Sequence, residues 1–378
     1  MLCFSVILFG YPPGTTSPSE TSTISHSTRI KRDHHILTGI CNNSQTQLYT
    51  DNLLPQSCTE VVALLNKHGC NDVTDSLDLS ACSQHPFASG GFGDVFFGRL
   101  WDKTAVAIKT IRTYYKPGEE ALVYNKQAAK EIYTWSKCKH PNVVQLTGLA
   151  VFRDCVAMVS RWEENGNLLS YLSSHPSTDR CDLSVAICDG LAYLHEINIV
   201  HGDLKGANVL IARDGTPMLA DFGNATLDIS NPTLGFTQND TKPGISVRWA
   251  APEMFDEGTS LPTMAGDIYS LGMTILETFT SEIPFPDKTD RSILVHVLLQ
   301  KKIPSRPEQI IPTKSIDGNK LWAILTQCWS YDPKIRPSAR AVWDEMKPIT
   351  SDNLKEIEDE NEGGSKGESD GNEMEDKE

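Results

Sequence analysis

The chain has 378 residues, of which 39% are hydrophobic and 22% charged, and its formal net charge is −15. That length suits one large or two ordinary domains, and the composition is that of a globular protein. The acidic balance argues against a nucleic-acid partner, which would need a basic face to meet phosphates.

The opening MLCFSVILFG is apolar but lacks a basic flank and is too short for a bilayer, so no membrane span is expected. The ten cysteines are scattered, with no CxxC pair and no zinc-like spacing. Free thiols in a reducing, cytoplasmic setting account for them best. Residues 1–50 are rich in Ser, Thr and Pro between Tyr11 and His35, and they are expected to be disordered. Residues 51–78 form a short helical lead-in. Ser57 and Glu60 make a capping box, Val61, Val62, Leu64 and Leu65 supply an apolar side, and Gly69 closes a helix over Cys58–His68.

From there the texture is β-like. Phe87–Leu100 reads as strand, glycine turn and strand, and Thr104–Ile111 (TAVAIKTI) is a β-branched run carrying Lys109. A helix is expected over Glu119–Lys137, with Glu131 inside it. HPNVV (His140–Val144) ends that helix and opens another extended run, and Cys155–Trp162 is a further strand. Beyond Gly166 helices dominate, at Asn167–Ser173, Leu183–Glu196, Met264–Thr280, Ser292–Gln300, Lys320–Trp329 and Ser338–Met346. Short strands near Val209–Ile211 and Met218–Ala220 flank a turn at Asp214-Gly215. The segment 349–378 is expected to be a solvated acidic tail: Ser351–Glu378 alone carries twelve acids against three lysines.

The chemistry-bearing residues sit at element junctions. The stretch IVHGDLKGANVL (Ile199–Leu210) pins a polar loop between apolar runs. There Asp203 can accept a hydroxyl proton, Lys205 can hold a phosphate oxygen and Asn208 can ligate a hard cation, which are the parts of phosphoryl transfer. Gly90, Gly91 and Gly93 form a turn whose backbone can approach phosphates without a Cβ in the way. Lys109 on a half-buried strand needs an anionic partner, and Glu131 is the candidate. Asp221, in Asp-Phe-Gly, follows an apolar strand and points from its end. Each feature alone also has a plain structural reading, as a polar turn, a tight turn or a salt bridge.

Their order is less ordinary. Glycine hairpin, strand lysine, helix glutamate, HGDLKGAN, DFG and Ala251-Pro252-Glu253 follow one another, then Asp267 in GDIYSLG and Arg336 in DPKIRP. This succession resembles the eukaryotic-type protein kinase signature. HPNVV, SVRWAAPE, LTQCWSYDP and the lysine in DLKGAN resemble the tyrosine-kinase-like serine/threonine branch. The resemblance implies an α+β, two-lobed fold. A small antiparallel sheet lobe (79–163) would join a larger, mainly helical lobe (164–348), together making a kinase domain over 79–348. It implies ATP and Mg²⁺ (or Mn²⁺) as cofactors and a protein substrate. By the same resemblance Asp203 and Lys205 are catalytic and Asn208 and Asp221 hold the metal. The nucleotide would meet Ala88, Gly90, Gly91, Gly93, Val95, Ala107, Lys109, Glu131, Ser160, Trp162 and Leu210, with the hinge through Arg161–Glu163.

Three positions depart from the family pattern: Ala88 for the first loop glycine, Gly202 for the arginine before the catalytic aspartate, and Asn224 after DFG. Without that arginine, activity is expected not to depend on a phosphate between Asn224 and Ala250, although Lys242 or Arg248 could receive one. A scaffold that binds nucleotide without transfer, and a small-molecule kinase, are the alternative readings.

Overall fold

The computed structural model describes residues 58–67, 69–89, 93–111, 131–132, 134–227, 244–256 and 261–354. The glycines Gly90 and Gly91, residues 1–57, most of the helix expected before Glu131, and the chain beyond Leu354 lie outside the described residues.

The smaller lobe is an antiparallel sheet of β1 (Ala88–Ser89), β2 (Gly93–Arg99), β3 (Ala105–Ile111), β4 (Leu146–Phe152) and β5 (Cys155–Arg161), ordered β1-β2-β3-β5-β4. Strand alternation sorts β3 into two faces. Val106 and Ile108 join Phe96, Ala150, Phe152, Ala157 and Val159 in a small core, while Ala107 and Lys109 fall on the opposite face. The lead-in helix α1 (Cys58–Lys67) forms where the capping signals put it. The chain after it pairs with the sheet before the expected lobe boundary: Asp72 bridges Leu149 in parallel, and Leu77 bridges Leu100.

The larger lobe is helical. α2 (Leu168–Ser174), α3 (Arg180–Glu196), α4 (Met264–Thr280), α5 (Asp290–Leu294), α6 (Ile316–Cys328) and α7 (Ala339–Met346) each begin at a polar cap. The side chains of Asn167, Asp179, Thr263, Thr289, Ser315 and Ser338 accept the first free backbone N–H groups. These caps explain why α3 and α6 start earlier than apolar periodicity alone indicates. α5 passes into a π-helical turn over Val295–Leu299, so the expected Ser292–Gln300 helix is not uniform. Short pairs β6 (Ile199–Val200) with β9 (Thr226–Leu227), and β7 (Val209–Ile211) with β8 (Pro217–Leu219), frame the loop that holds Asp203.

α4 runs through the middle of this lobe with most of its side chains buried. A continuous core links it to the underside of the sheet, from Leu271 and Ile275 to Leu191, Phe222, Trp135 and Leu149. The chain stays packed on the lobe past residue 348. Ile349 and Leu354 are buried, and Ser315 donates its hydroxyl to the Asn353 carbonyl at 2.7 Å. Two apolar anchors in an otherwise acidic stretch hold the chain to the lobe as far as Leu354.

Candidate active site

Lys109 projects from the cleft face of β3 and meets two carboxylates. Its Nζ lies 2.7 Å from Glu131 Oε1 and 2.8 Å from Asp221 Oδ1. Burial opposes the charge on the amine, but the attraction of Asp221 and then Glu131 outweighs it and raises the lysine above its ordinary value. The same ammonium lowers Asp221 to about 2. Glu131 is pushed upward, because burial there exceeds the pull of Lys109. Asp221 has a left-handed backbone (φ +65°), a conformation that aspartate tolerates better than most residues. Phe222, next in sequence, is buried between the rings of Trp135 (centroids 5.9 Å apart) and His201 (5.7 Å).

Asp267 of α4 fixes the loop before Asp203. Its carboxylate accepts the backbone N–H groups of His201 at 2.7 Å and Gly202 at 2.8 Å. Gly202 takes φ +78°, and a Cβ there would lie 2.8 Å from the Asn224 carbonyl oxygen and 3.0 Å from Pro262. The departure from arginine therefore has a steric reason. From this anchored turn Asp203 enters a tight polar cluster. Lys205 Nζ donates to Asp203 Oδ2 at 2.7 Å and to Ser246 Oγ at 2.8 Å, and Ser246 donates to Asp203 Oδ1 at 2.6 Å. Asn208 gives its amide nitrogen to the Asp203 carbonyl at 2.8 Å and to Oδ2 at 3.1 Å.

Beneath this loop lies Glu277, buried on α4. Its Oε2 accepts from Gly206 N and from Trp249 Nε1, both at 2.8 Å, while its buried Oε1 has no donor among the described residues. Burial pushes its carboxyl up to about 7. Glu277 escaped the sequence reading; its signal was an acid inside the apolar run of Met264–Thr280. Ser246 belongs to the Asn224–Ala250 stretch, which the sequence marks only as a place for a phosphate; the structure sets it against Asp203 and Lys205.

The fold brings Ala88, Gly93, Val95, Ala107 and Ser160 into one connected part of the sheet. Ala88 pairs with Val95, Val95 with Lys109, and Ala107 with Ser160. Leu210 lies on β7 and bridges Asn167 at the start of α2. Trp162 gives its backbone N–H to the Ala105 carbonyl at 3.0 Å and packs its indole edge-on against Phe87 and Phe97. Phe97 is the cross-strand partner of Ala107, so this packing lies on the same face of the sheet as Ala107 and Lys109. Arg248, the suggested phosphate partner, is committed: its guanidinium donates to the carbonyls of Pro284, Phe285 and Lys288 and pairs with Asp290 at 3.1 Å. Arg336 holds Glu253 with two bonds, of 2.6 and 2.7 Å, pinning Ala251-Pro252-Glu253 to the lobe.

Residues 82–346 match the family described as Protein tyrosine and serine/threonine kinase. The chain belongs to that kinase family. It is 27% identical over 289 residues to Serine/threonine-protein kinase STY46 of Arabidopsis thaliana, covering 75% of this chain and 47% of that protein. Tyrosine-protein kinase SRK3 of Spongilla lacustris is 29% identical over 266 residues, covering 68% and 72%. Tyrosine protein-kinase src-1 of Caenorhabditis elegans is 30% identical over 264 residues, covering 66% and 45%. This kinase chain spans about half the length of the Arabidopsis relatives it matches. The two-lobed α+β kinase fold is present, and among the described residues no helix is long and apolar enough to cross a membrane.

Proposed function

We propose that this chain is an ATP-dependent protein kinase that phosphorylates serine and threonine hydroxyls of protein substrates. The observation that carries the reading is the Asp203–Lys205–Ser246 cluster beside the Lys109–Glu131–Asp221 relay. One cluster orients a hydroxyl and the other a triphosphate, as transfer requires.

Asp203 orients the acceptor hydroxyl and takes its proton. Lys205, held by Asp203 and Ser246, offers its ammonium to the phosphate in passage. Lys109, braced by Glu131, contacts the α- and β-phosphates, and Val95, Ala107 and Leu210 clamp the adenine, with Ala88, Gly93 and Ser160 completing the pocket wall. Asn208 and Asp221 suit a divalent cation. Asn208 spends its nitrogen on Asp203 and keeps an oxygen without a donor among the described residues, and Asp221 stays ionised with a side chain 48% exposed. Two hard oxygens of this kind fit Mg²⁺ or Mn²⁺, which when bound neutralises charge on the transferring phosphate.

The serine/threonine assignment is supported by Lys205. It stands two residues after Asp203 in DLKGAN, and that loop resembles the serine/threonine type rather than the dedicated tyrosine type. The name of the Arabidopsis relative agrees, and the tyrosine kinases among the relatives make acceptor analysis the deciding measurement. The described cysteines are all free thiols, in keeping with a cytoplasmic setting.

The test is transfer of labelled phosphate from ATP to a protein mixture, beside Asp203→Asn, followed by phosphoamino-acid analysis. Phosphoserine and phosphothreonine that fall at least about a hundredfold in the variant are expected. Phosphotyrosine as the main product overturns the acceptor class. Transfer indifferent to Asp203→Asn, or none at all, overturns the catalytic reading.

A further inference from the structure

The family match begins at residue 82, yet the chain from Cys58 to Leu77 is built into the smaller lobe. α1 buries Cys58, Val62 and Leu65 in the continuous core, and Cys58 Sγ reaches the Asp154 carbonyl at 3.0 Å, in the turn between β4 and β5. Cys70 lies beside Ser136, whose hydroxyl favours the thiolate, and shares a core with Ile132 and Trp135 of the stretch that carries Glu131. The chain then holds one residue of β4 by both of its backbone groups. Leu149 N donates to Asn71 O at 2.7 Å, and Val73 N donates to Leu149 O at 2.8 Å.

Leu149 points its buried side chain into the core that holds Ile132, Trp135 and Phe222. Trp135 stacks on Phe222, the neighbour of Asp221, and Glu131 and Asp221 together hold Lys109. The segment therefore shares a core with the Glu131 stretch, through Cys70 and the apolar side of α1, and is joined to it again through Leu149. Gly148 shows that β4 is shaped to receive it. A Cβ there would lie 2.6 Å from Asn71 O and 2.8 Å from Val73 Cγ1, although the Gly148 backbone is not in the left-handed region. The missing side chain serves the approach of the lead-in and not the conformation of the strand.

We infer that Cys58–Leu77 is a positioning strap, a segment outside the family domain that holds the Glu131 stretch in place and so keeps Lys109 poised between Glu131 and Asp221. The inference rests on the kinase reading for its effect on rate, but the placement of the Glu131 stretch can be read without activity.

The experiment uses the full chain and two substitutions, Gly148→Val and the milder Gly148→Ala. Hydrogen exchange is followed over residues 58–77, 131–136 and 264–280, and phosphate transfer is measured per folded molecule. With Gly148→Val, exchange over 58–77 and 131–136 should rise at least about tenfold while 264–280 stays protected. Turnover should fall about tenfold, with the KM for protein substrate within about twofold of wild type. Gly148→Ala should lie between, and it decides the matter by the same readouts if the valine chain does not fold. Freed exchange over 58–77 with 131–136 unchanged, or unchanged turnover, overturns the strap. Absence of transfer in the wild-type chain overturns the kinase reading instead, and the exchange arm still judges the strap.

Discussion

Ser246 donates its hydroxyl to Asp203 at 2.6 Å and accepts from Lys205 at 2.8 Å, so a residue between DFG and Ala251-Pro252-Glu253 completes the cluster proposed to be catalytic. Hydrogen bonds to charged groups are worth about 1.5–3 kcal/mol. Ser246→Ala is therefore expected to lower turnover about ten- to a hundredfold, while Ser246→Thr restores most of it. Phosphatase treatment of the wild-type chain should leave turnover within about threefold, a difference under 1 kcal/mol. A phosphatase effect as large as that of the alanine variant would show that Ser246 acts as a modified residue.

Removal of the divalent cation should stop transfer. Excess EDTA is expected to abolish activity, and Mg²⁺ or Mn²⁺ to restore it. Asp221→Asn should reduce turnover at least about a hundredfold even at saturating metal. Asparagine is a cleaner probe than alanine, because it tolerates the φ of +65° at this position. Full turnover in EDTA would remove Asn208 and Asp221 from their proposed role.

Gly202 should resist restoration of the family's arginine. A side chain at φ +78° is strained by about 1–3 kcal/mol, and its Cβ would press on the Asn224 carbonyl and Pro262. Gly202→Ala and Gly202→Arg are both expected to lower the melting temperature by several degrees. Calorimetry beside a turnover assay checks this; an arginine variant as stable as wild type and more active would contradict the steric account.

Glu277 gives stability a pH dependence of defined sign. Its folded pKa of about 7 lies above the ordinary 4.5, so between those values the folded chain binds more protons than the unfolded one. Stability from this site is accordingly highest at low pH and falls as pH rises from about 4.5 to about 7, by on the order of 3 kcal/mol. Asp221 acts in the opposite sense and in a different window: its contribution is complete above about 4 and is lost as pH falls toward about 2. Glu277→Gln keeps an acceptor for Gly206 and Trp249 and places a neutral group at the unpartnered oxygen. Urea unfolding at several pH values should show a flatter profile for the variant between pH 5 and pH 8, and identical profiles would count against a buried, protonated Glu277.

Much of this site was legible in the linear chain because its parts are local. HGDLKGAN, DFG and TAVAIKTI each carry their chemistry within a few residues. Their order identified the kinase resemblance, and a lysine on a half-buried strand in need of an anion predicted the Lys109–Glu131 pair before any distance was known. Helix and strand positions followed from apolar periodicity, and several starts were refined by polar caps such as Asp179 and Ser315.

What tertiary structure alone decided were contacts between residues far apart in the chain whose types are individually unremarkable. Nothing local distinguishes Ser246 from the neighbouring threonines; it differs because the fold returns it to Asp203. Glu277 reads as one acid in an apolar helix until the Gly206 loop is laid over it. Arg248 reads as a free base until the Pro284–Lys288 carbonyls surround it. The lead-in from Cys58 to Leu77 has only its own helix signals, and its grip on Leu149 depends on backbone groups that every sequence shares. Side-chain identity marks chemistry that is carried locally, whereas burial, backbone pairing and the absence of room at Gly148 and Gly202 exist only once distant segments have met.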